Sequence, residues 1–320
     1  MKKFTIHFLI FCIPIIVGLL ILDGIISNIL KSSNTFAVKE YPVWNDIYSG
    51  KINADVLIYG NSRAWQHISP KILKRKIPLK FYNLGIDGQN FDLQLFRANE
   101  YLKYNKKPKV IIQEVDEFTF EKHKNLYNKD QFLPYMLWNS DIQHQIMKYN
   151  GFHFLDFKIP LLRYYGNNEA VNIIYELFKR KEKNPRTRIN GFQGLVYNSS
   201  LDRNKIKHIR YKVNIDKRLI VKFNDFLKNC EKDNIKVILV YTPEFIEGQK
   251  SVNNRREILN LFAEFSFKYN ISFYDYSNDK ISYNDKLFYN AMHMNRKGAK
   301  IFSIKFANQI KKKILKTFNN

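Results

Sequence analysis

Asp55-Val-Leu-Ile-Tyr-Gly-Asn-Ser-Arg63 is the stretch on which the fold turns. The apolar run from Val56 to Tyr59 stops at a glycine, and polar side chains follow at once. A short apolar run closed by a turn residue reads as a strand buried on both faces, because neither face needs alternating polar positions. Gly60 lets the chain bend sharply there, and a serine just after it can present its hydroxyl above the sheet. Serine also caps helices and fills turns, so this tetrapeptide alone leaves Ser62 open between nucleophile and cap.

Working outward, Lys80-Phe-Tyr-Asn83 reads as a second strand, and Phe91, Leu93, Leu95, Phe96, Tyr101 and Leu102 recur at helical spacings. Pro108 precedes a third strand, Lys109 to Val115, and the alternation returns later. Residues 216–232 and 253–268 read as helices, Lys236-Val-Ile-Leu-Val-Tyr241 and Ile271-Ser-Phe-Tyr274 as strands, and Lys297 to Phe318 as a closing helix. Continuously apolar strands separated by helices predict an α/β domain over residues 51–320, its sheet mainly parallel and flanked by helices. Between about residues 120 and 213 the rhythm fails. That segment carries aromatics such as Phe132, Trp138 and Tyr164, a polar stretch from Arg180 to Arg188, and Asn190-Gly-Phe-Gln-Gly194. It reads as a partly helical insertion over one sheet edge, either a cap on a substrate groove or a structural elaboration.

The N-terminus carries a different signal. Lys2 and Lys3 precede an uncharged run from Phe4 to Leu22, and beyond Asp23 the chain stays apolar through Leu30. Roughly 20 helical residues cross a hydrocarbon layer of about 30 Å, so residues 1–30 read as a membrane anchor followed by an exposed connector over 31–50. The lysine pair favours an N-terminus left in the cytoplasm and a C-terminal domain outside it. A cleaved signal peptide shares these features but ends in small residues, which Ile21, Leu22 and Asp23 are not. Cys12 and Cys230 offer no disulfide framework. The formal net charge of +24 suits anionic membrane surfaces or acidic glycans, although lysine enrichment runs along the whole chain. No zinc-finger spacing or basic tract with stacking aromatics points to nucleic acid.

Two further polar turns accompany Gly60-Asn-Ser-Arg63. Asn83-Leu-Gly-Ile-Asp-Gly-Gln89 brings two glycines close together, which lets backbone N–H groups approach a ligand oxygen or simply ends a strand. It lacks the spacing and terminal Lys-Ser/Thr of a phosphate-binding loop. Asn290-Ala-Met-His-Met-Asn-Arg-Lys-Gly-Ala299 places an amide three residues before His293, where it can accept the imidazole Nδ1 proton and leave Nε2 free. No cluster with ligand spacing predicts a metal, and no cofactor is expected.

Together the three turns resemble the conserved blocks of the SGNH/GDSL hydrolase superfamily, and most the membrane-anchored members related to DltD and to alginate-type O-acetylation proteins. The resemblance covers about residues 52–118 and 215–318. It implies a three-layer α/β fold with Ser62 as nucleophile, His293 as base and Asn290 at the position of the acid. Gly88 and Ser62 would supply oxyanion-hole N–H groups. Asn61 replaces the usual Asp or Ser. The third block's Asn is absent: the corresponding strand ends in Glu114-Val-Asp116-Glu117, where Asp116 either orients a neighbour or is protonated. Asp275 could substitute for the acid or cap its own turn, and Arg63 could hold a substrate anion or pair with Asp87 or Asp116. The implied function is a serine-dependent esterase or O-acyltransferase, single-pass in a bacterial inner membrane and acting on an extracytoplasmic glycan. A multi-span membrane acyltransferase is a possible partner. The alternative is an inactive envelope protein that binds a glycan or such a partner.

Overall fold

The computed structural model describes residues 2–179, 187–196 and 210–319. Its centre is one parallel sheet built from β1 (Val56–Tyr59), β2 (Phe81–Asn83), β3 (Val110–Glu114), β4 (Lys236–Tyr241) and β5 (Ser272–Asp275), in the order β2-β1-β3-β4-β5. The register sets Ile58 opposite Asn83 on one side and Ile112 on the other, and Ile112 opposite Ile238. The apolar runs predicted as strands take this place because β1 and β3 are buried along their whole length.

Alternation of side chains serves both faces. Val56, Ile58, Ile112, Ile238 and Val240 join a core with Leu73, Phe302, Phe306 and Ile310, from the helices Pro70–Lys76 and Arg296–Asn319. On the opposite face the ring of Tyr59 lies 6.3 Å from Phe226, whose helix Lys217–Lys232 also brings Phe223 to within 4.8 Å of Phe91. Phe262 of the helix Arg255–Lys268 adds a contact to Phe273 of β5. Burial of each such aromatic contributes roughly 2–3 kcal/mol. All strands run one way, so the loops leaving their carboxyl ends share one rim. The chain moves from β1 outward to β2 and then to β3 on the other side of β1. The loops after β1 and β3 therefore diverge at a topological switch point, where open α/β sheets bind ligands.

The chain divides into two compact units, Met1–Asn45 with His123–Thr187, and Asp46–Lys122 with Arg188–Asn320. The second contains the sheet. The first is organised by helix α1 (Lys2–Lys31), long and apolar enough to cross a membrane. Ile10, Phe11, Ile13, Ile16 and Ile21 of α1 are exposed, whereas Asp23, Ser27 and Leu30, at helical spacing on one face, are buried. Asp23 accepts two hydrogen bonds from the Arg163 guanidinium, both 2.7 Å, and one from the Leu161 N–H at 2.7 Å. The Ser27 and Tyr164 hydroxyls meet at 2.8 Å.

Residues 31–50 differ from the exposed connector expected of them. In the first unit Tyr41, Val43 and Trp44 are buried; Trp44 Nε1 donates to Gln131 at 3.1 Å, and its ring lies 5.7 Å from Phe132. In the second unit Ile47 is buried, and its carbonyl accepts from Asn105 at 2.9 Å. Aromatic side chains make this stretch part of two cores. The expected insertion is likewise divided. Residues 123–187 belong with α1, and the chain from Arg188 returns to the second unit, where the Asn83 N–H donates to the Asn190 carbonyl at 3.0 Å, on edge strand β2. Residues 180–186 and 197–209, parts of the polar stretch and of the insertion, lie outside the described residues.

Candidate active site

Ser62 opens the helix Ser62–His67, reached from β1 through Gly60 and Asn61. Gly60 sits at φ +141°, and a Cβ there would lie 2.6 Å from Glu114 Oε2 and 2.8 Å from Ala64 Cβ, so only glycine fits. Asn61 caps the helix: its Oδ1 accepts the Arg63 N–H at 2.9 Å, and its Nδ2 donates to Asp116 in a short contact. The next loop is held as firmly. Asn83 donates to the carbonyls of Ala64 (2.8 Å) and Ile68 (3.0 Å) and accepts the Gly85 N–H at 2.9 Å. A Cβ on Gly85 would come within 2.8 Å of the Trp65 nitrogen. Farther along this loop, Gly88 is exposed at φ +62°.

Ser62 and His293 are 231 residues apart in sequence, and Ser62 Oγ lies 2.8 Å from His293 Nε2. The tautomer follows from the hydrogen bonds. Asn290 Oδ1 receives the backbone N–H groups of Met292 (2.9 Å) and His293 (2.8 Å), which can only donate, so this atom is the amide oxygen. His293 Nδ1, 3.0 Å from the same oxygen, must therefore carry the proton. Nε2 is left with its lone pair toward the serine hydroxyl. Burial, and then the positive charge of Arg63, lower the His293 pKa to about 3 against opposition from Glu117, so the ring is neutral at physiological pH.

A second imidazole stands beside it. The His67 and His293 rings are 6.1 Å apart and nearly perpendicular. His67 Nε2 accepts the Met294 N–H at 2.9 Å, so its Nδ1 donates to the Thr242 hydroxyl at 2.8 Å. Burial, aided by His293 and Arg63, keeps its pKa well below the ordinary value. His67 thereby ties the helix after Ser62 to the residue after His293.

Arg63 is not placed to clamp a substrate anion. It is 1 % exposed and pairs with Glu117 at 2.7 Å, Glu244 at 3.2 Å and Asp116 at 3.9 Å. The Tyr241 hydroxyl lies 2.7 Å from Glu117 and 2.8 Å from Glu244, and its single proton cannot serve both. Burial, with Glu117 adding to it and Arg63 opposing, pushes Glu244 up to about 8. This favours the protonated form of Glu244, in which its carboxyl can donate to Tyr241 Oη while Tyr241 donates to Glu117. Burial also works against the charge of Glu117, but Arg63 outweighs it and holds this carboxyl below its usual range.

The remaining predicted residues fall as follows. Asp116 is buried and accepts from Asn61, the Phe118 N–H (2.9 Å) and the Thr119 hydroxyl (3.1 Å), so it orients a neighbour. Glu114, beneath Gly60, has its pKa pushed well above the carboxylate range by burial and then by Asp116. Asp275 is exposed and accepts the Ser277 N–H at 2.8 Å; it caps its own turn, and Asn290 occupies the His293 Nδ1 position instead. Among the described residues no three His, Cys, Asp or Glu side chains gather as a metal site requires.

Arg188 was not anticipated from sequence. It is fully buried, its guanidinium 4.6 Å from the Trp65 ring centroid, and it donates to the carbonyls of Gly85 (2.6 Å) and Gly191 (3.0 Å). The segment after it runs past the site: the Gln193 N–H donates to the Trp65 carbonyl at 3.1 Å, and the Arg296 N–H to the Leu195 carbonyl at 2.7 Å. Glycines 191 and 194 were its one visible signal.

No family model matches this chain. No curated protein matches it either. Among solved structures it is similar to a protein assigned as lipolytic and of the G-D-S-L family from Desulfitobacterium hafniense, with TM-score 0.41 and 11% identity over 79% of this chain and 97% of that one. It is also similar to a protein assigned as an acylhydrolase from Bacteroides fragilis, with TM-score 0.37 and 15% identity over 82% of this chain and 86% of that one.

Proposed function

We propose that this chain is a serine-dependent esterase or O-acyltransferase, and that Ser62 and His293 perform the chemistry. The observation that carries the reading is the 2.8 Å approach of Ser62 Oγ to a His293 Nε2 whose lone pair is fixed by Asn290. In the reaction the Ser62 hydroxyl attacks an ester carbonyl as its proton passes to His293 Nε2. The tetrahedral oxygen is held by the backbone N–H groups of Ser62 and Gly88, each well-placed donor contributing about 3 kcal/mol. Collapse expels the alcohol, which takes the proton from His293, and leaves an acyl group on Ser62. Water then gives hydrolysis, and a sugar hydroxyl gives acyl transfer.

The setting points to an envelope glycan as substrate. Lys2 and Lys3 before the apolar helix favour a cytoplasmic N-terminus and a C-terminal unit outside the bacterial inner membrane, where activated acyl donors come from a membrane partner. This is the setting of the DltD-like and alginate O-acetylation branch. An inactive relative of such enzymes is the second reading, favoured by the buried carboxyls Glu114, Asp116 and Glu117 where the resemblance calls for an amide.

The test uses the full chain in detergent or lipid discs with a fluorophosphonate probe, short-chain acyl esters and acylated glycans. Stoichiometric labelling of Ser62, lost in both Ser62→Ala and His293→Ala, supports the enzyme. No labelling and no turnover in a folded protein supports the inactive reading. Turnover unchanged in Ser62→Ala removes the serine from the mechanism.

A further inference from the structure

The first unit holds an apolar patch at the level where α1 leaves its bare stretch. From Phe4 to Leu22 α1 spans about 28 Å, close to one hydrocarbon layer. Asp23 follows directly, and its carboxylate is bound by the Leu161 N–H and by Arg163. The chain around Leu161 is therefore fixed at the depth of Asp23, and the ion pair with Arg163 relieves the cost of a charge at that boundary.

On either side of Leu161, among charged Asp156 and Lys158 and buried Phe157, Arg163 and Tyr164, stand several uncovered apolar side chains. Phe154 is 53 % exposed, Leu155 51 %, Ile159 43 % and Tyr165 89 %. Trp138, 60 % exposed, joins them because its N–H donates to the Phe157 carbonyl (2.9 Å) and its Nε1 to the Lys158 carbonyl (3.1 Å). Lys158 places its Nζ over the Phe154 ring, 5.4 Å from the centroid, a cation–π contact of the kind that suits a polar–apolar boundary. The Leu155 carbonyl accepts the N–H groups of Lys158 (3.0 Å) and Ile159 (2.9 Å), so these backbone groups are paired within the turn, while Trp138 takes the Phe157 and Lys158 carbonyls.

We infer that Phe154 to Tyr165, with Trp138, is an interfacial membrane contact, seated in the headgroup and upper acyl region of the bilayer that α1 crosses. The patch is continuous with the span through the Asp23 hydrogen bonds. Its make-up of Trp, Tyr, Phe and aliphatics beside a lysine is that of a membrane–water boundary, whereas a patch of this kind facing water alone is a liability. The first unit would then rest on the membrane by two elements, the helix and this turn. The inference depends on α1 as a membrane helix and is independent of the Ser62 chemistry.

The test places the full chain, one copy per lipid disc, among phosphatidylcholine and phosphatidylglycerol carrying a nitroxide at acyl carbon 5. Of the three tryptophans, Trp138 should account for the quenched share, roughly a third of the emission, and Trp138→Phe should abolish it. Tyr165→Trp should restore a quenched component, and Phe154→Asp with Leu155→Asp should reduce quenching two-fold or more. Circular dichroism confirms the fold of each variant. Emission that nitroxide lipid leaves untouched while aqueous iodide quenches it overturns the inference. So does shielding of Trp138 that appears only when copies associate or when another membrane protein is added.

Discussion

His67 and His293 are the same residue type, 6.1 Å apart, both neutral, and they do different work. Both nitrogens of His67 are engaged by the protein, one by the Met294 N–H and one by Thr242, so its contribution is to fix two segments together. His293 gives only Nδ1 to the scaffold and keeps Nε2 for the hydroxyl of Ser62. Burial alone does not mark a functional imidazole, because both rings have depressed pKa values. What distinguishes them is whether Nε2 meets a backbone N–H, as in His67, or the hydroxyl of Ser62, as in His293.

The sharpest way to break this contrast is to remove each ring in turn. His293→Ala should lower turnover of acyl esters by about 10⁴-fold while changing unfolding free energy by about 1 kcal/mol or less. His67→Ala should do the reverse in character. It strands the Met294 N–H and opens a cavity, costing about 2–4 kcal/mol in denaturant unfolding. Equal stability losses in the two variants would defeat the distinction.

A second set of measurements sharpens it. With a His293 pKa of about 3, the ring stays unprotonated to low pH, so on the proposed mechanism kcat/KM should show no acid limb near the ordinary 6.5. Asn290→Asp puts a carboxylate against Nδ1, favours the imidazolium and should move the limb upward by roughly one to two units. An acid limb near 6.5 in the native protein would show that burial is not setting the titration of His293.

A further expected effect concerns the acids under Arg63. Glu244 rises from 4.5 to about 8 on folding, so its contribution to stability is present below 4.5 and is lost as pH climbs through 8. Across that window the slope should approach 1.4 kcal/mol per pH unit for one proton, and Glu244→Gln should flatten it, as pH-dependent unfolding would report.

The sequence made some of this legible and hid the rest for one reason, the distance over which partners act. The strands are visible because each apolar run is its own signal, and Asn290 with His293 because their spacing is three residues. His67 is silent because its partners, Thr242 and Met294, lie 175 and 227 residues away. Arg63 is half legible: its closest partner, Glu117 at 2.7 Å, neighbours the expected Asp116, which itself lies at 3.9 Å, while Glu244 from the distant loop after β4 adds a contact at 3.2 Å. Residues 31–50 read as a connector because Trp44 and Tyr41 find their partners, Gln131 and the Asp130 carbonyl, nearly ninety positions on.

The pairing of Asp23 with Arg163 also sets how α1 would respond to a bilayer that it crossed. Sliding the helix by one turn, about 5.4 Å, would replace Asp23 by Leu19 and leave Arg163 facing hydrocarbon side chains. The helix therefore has one permitted height. In a membrane thicker or thinner than its bare stretch, it must tilt or the surrounding lipid must stretch or compress to match.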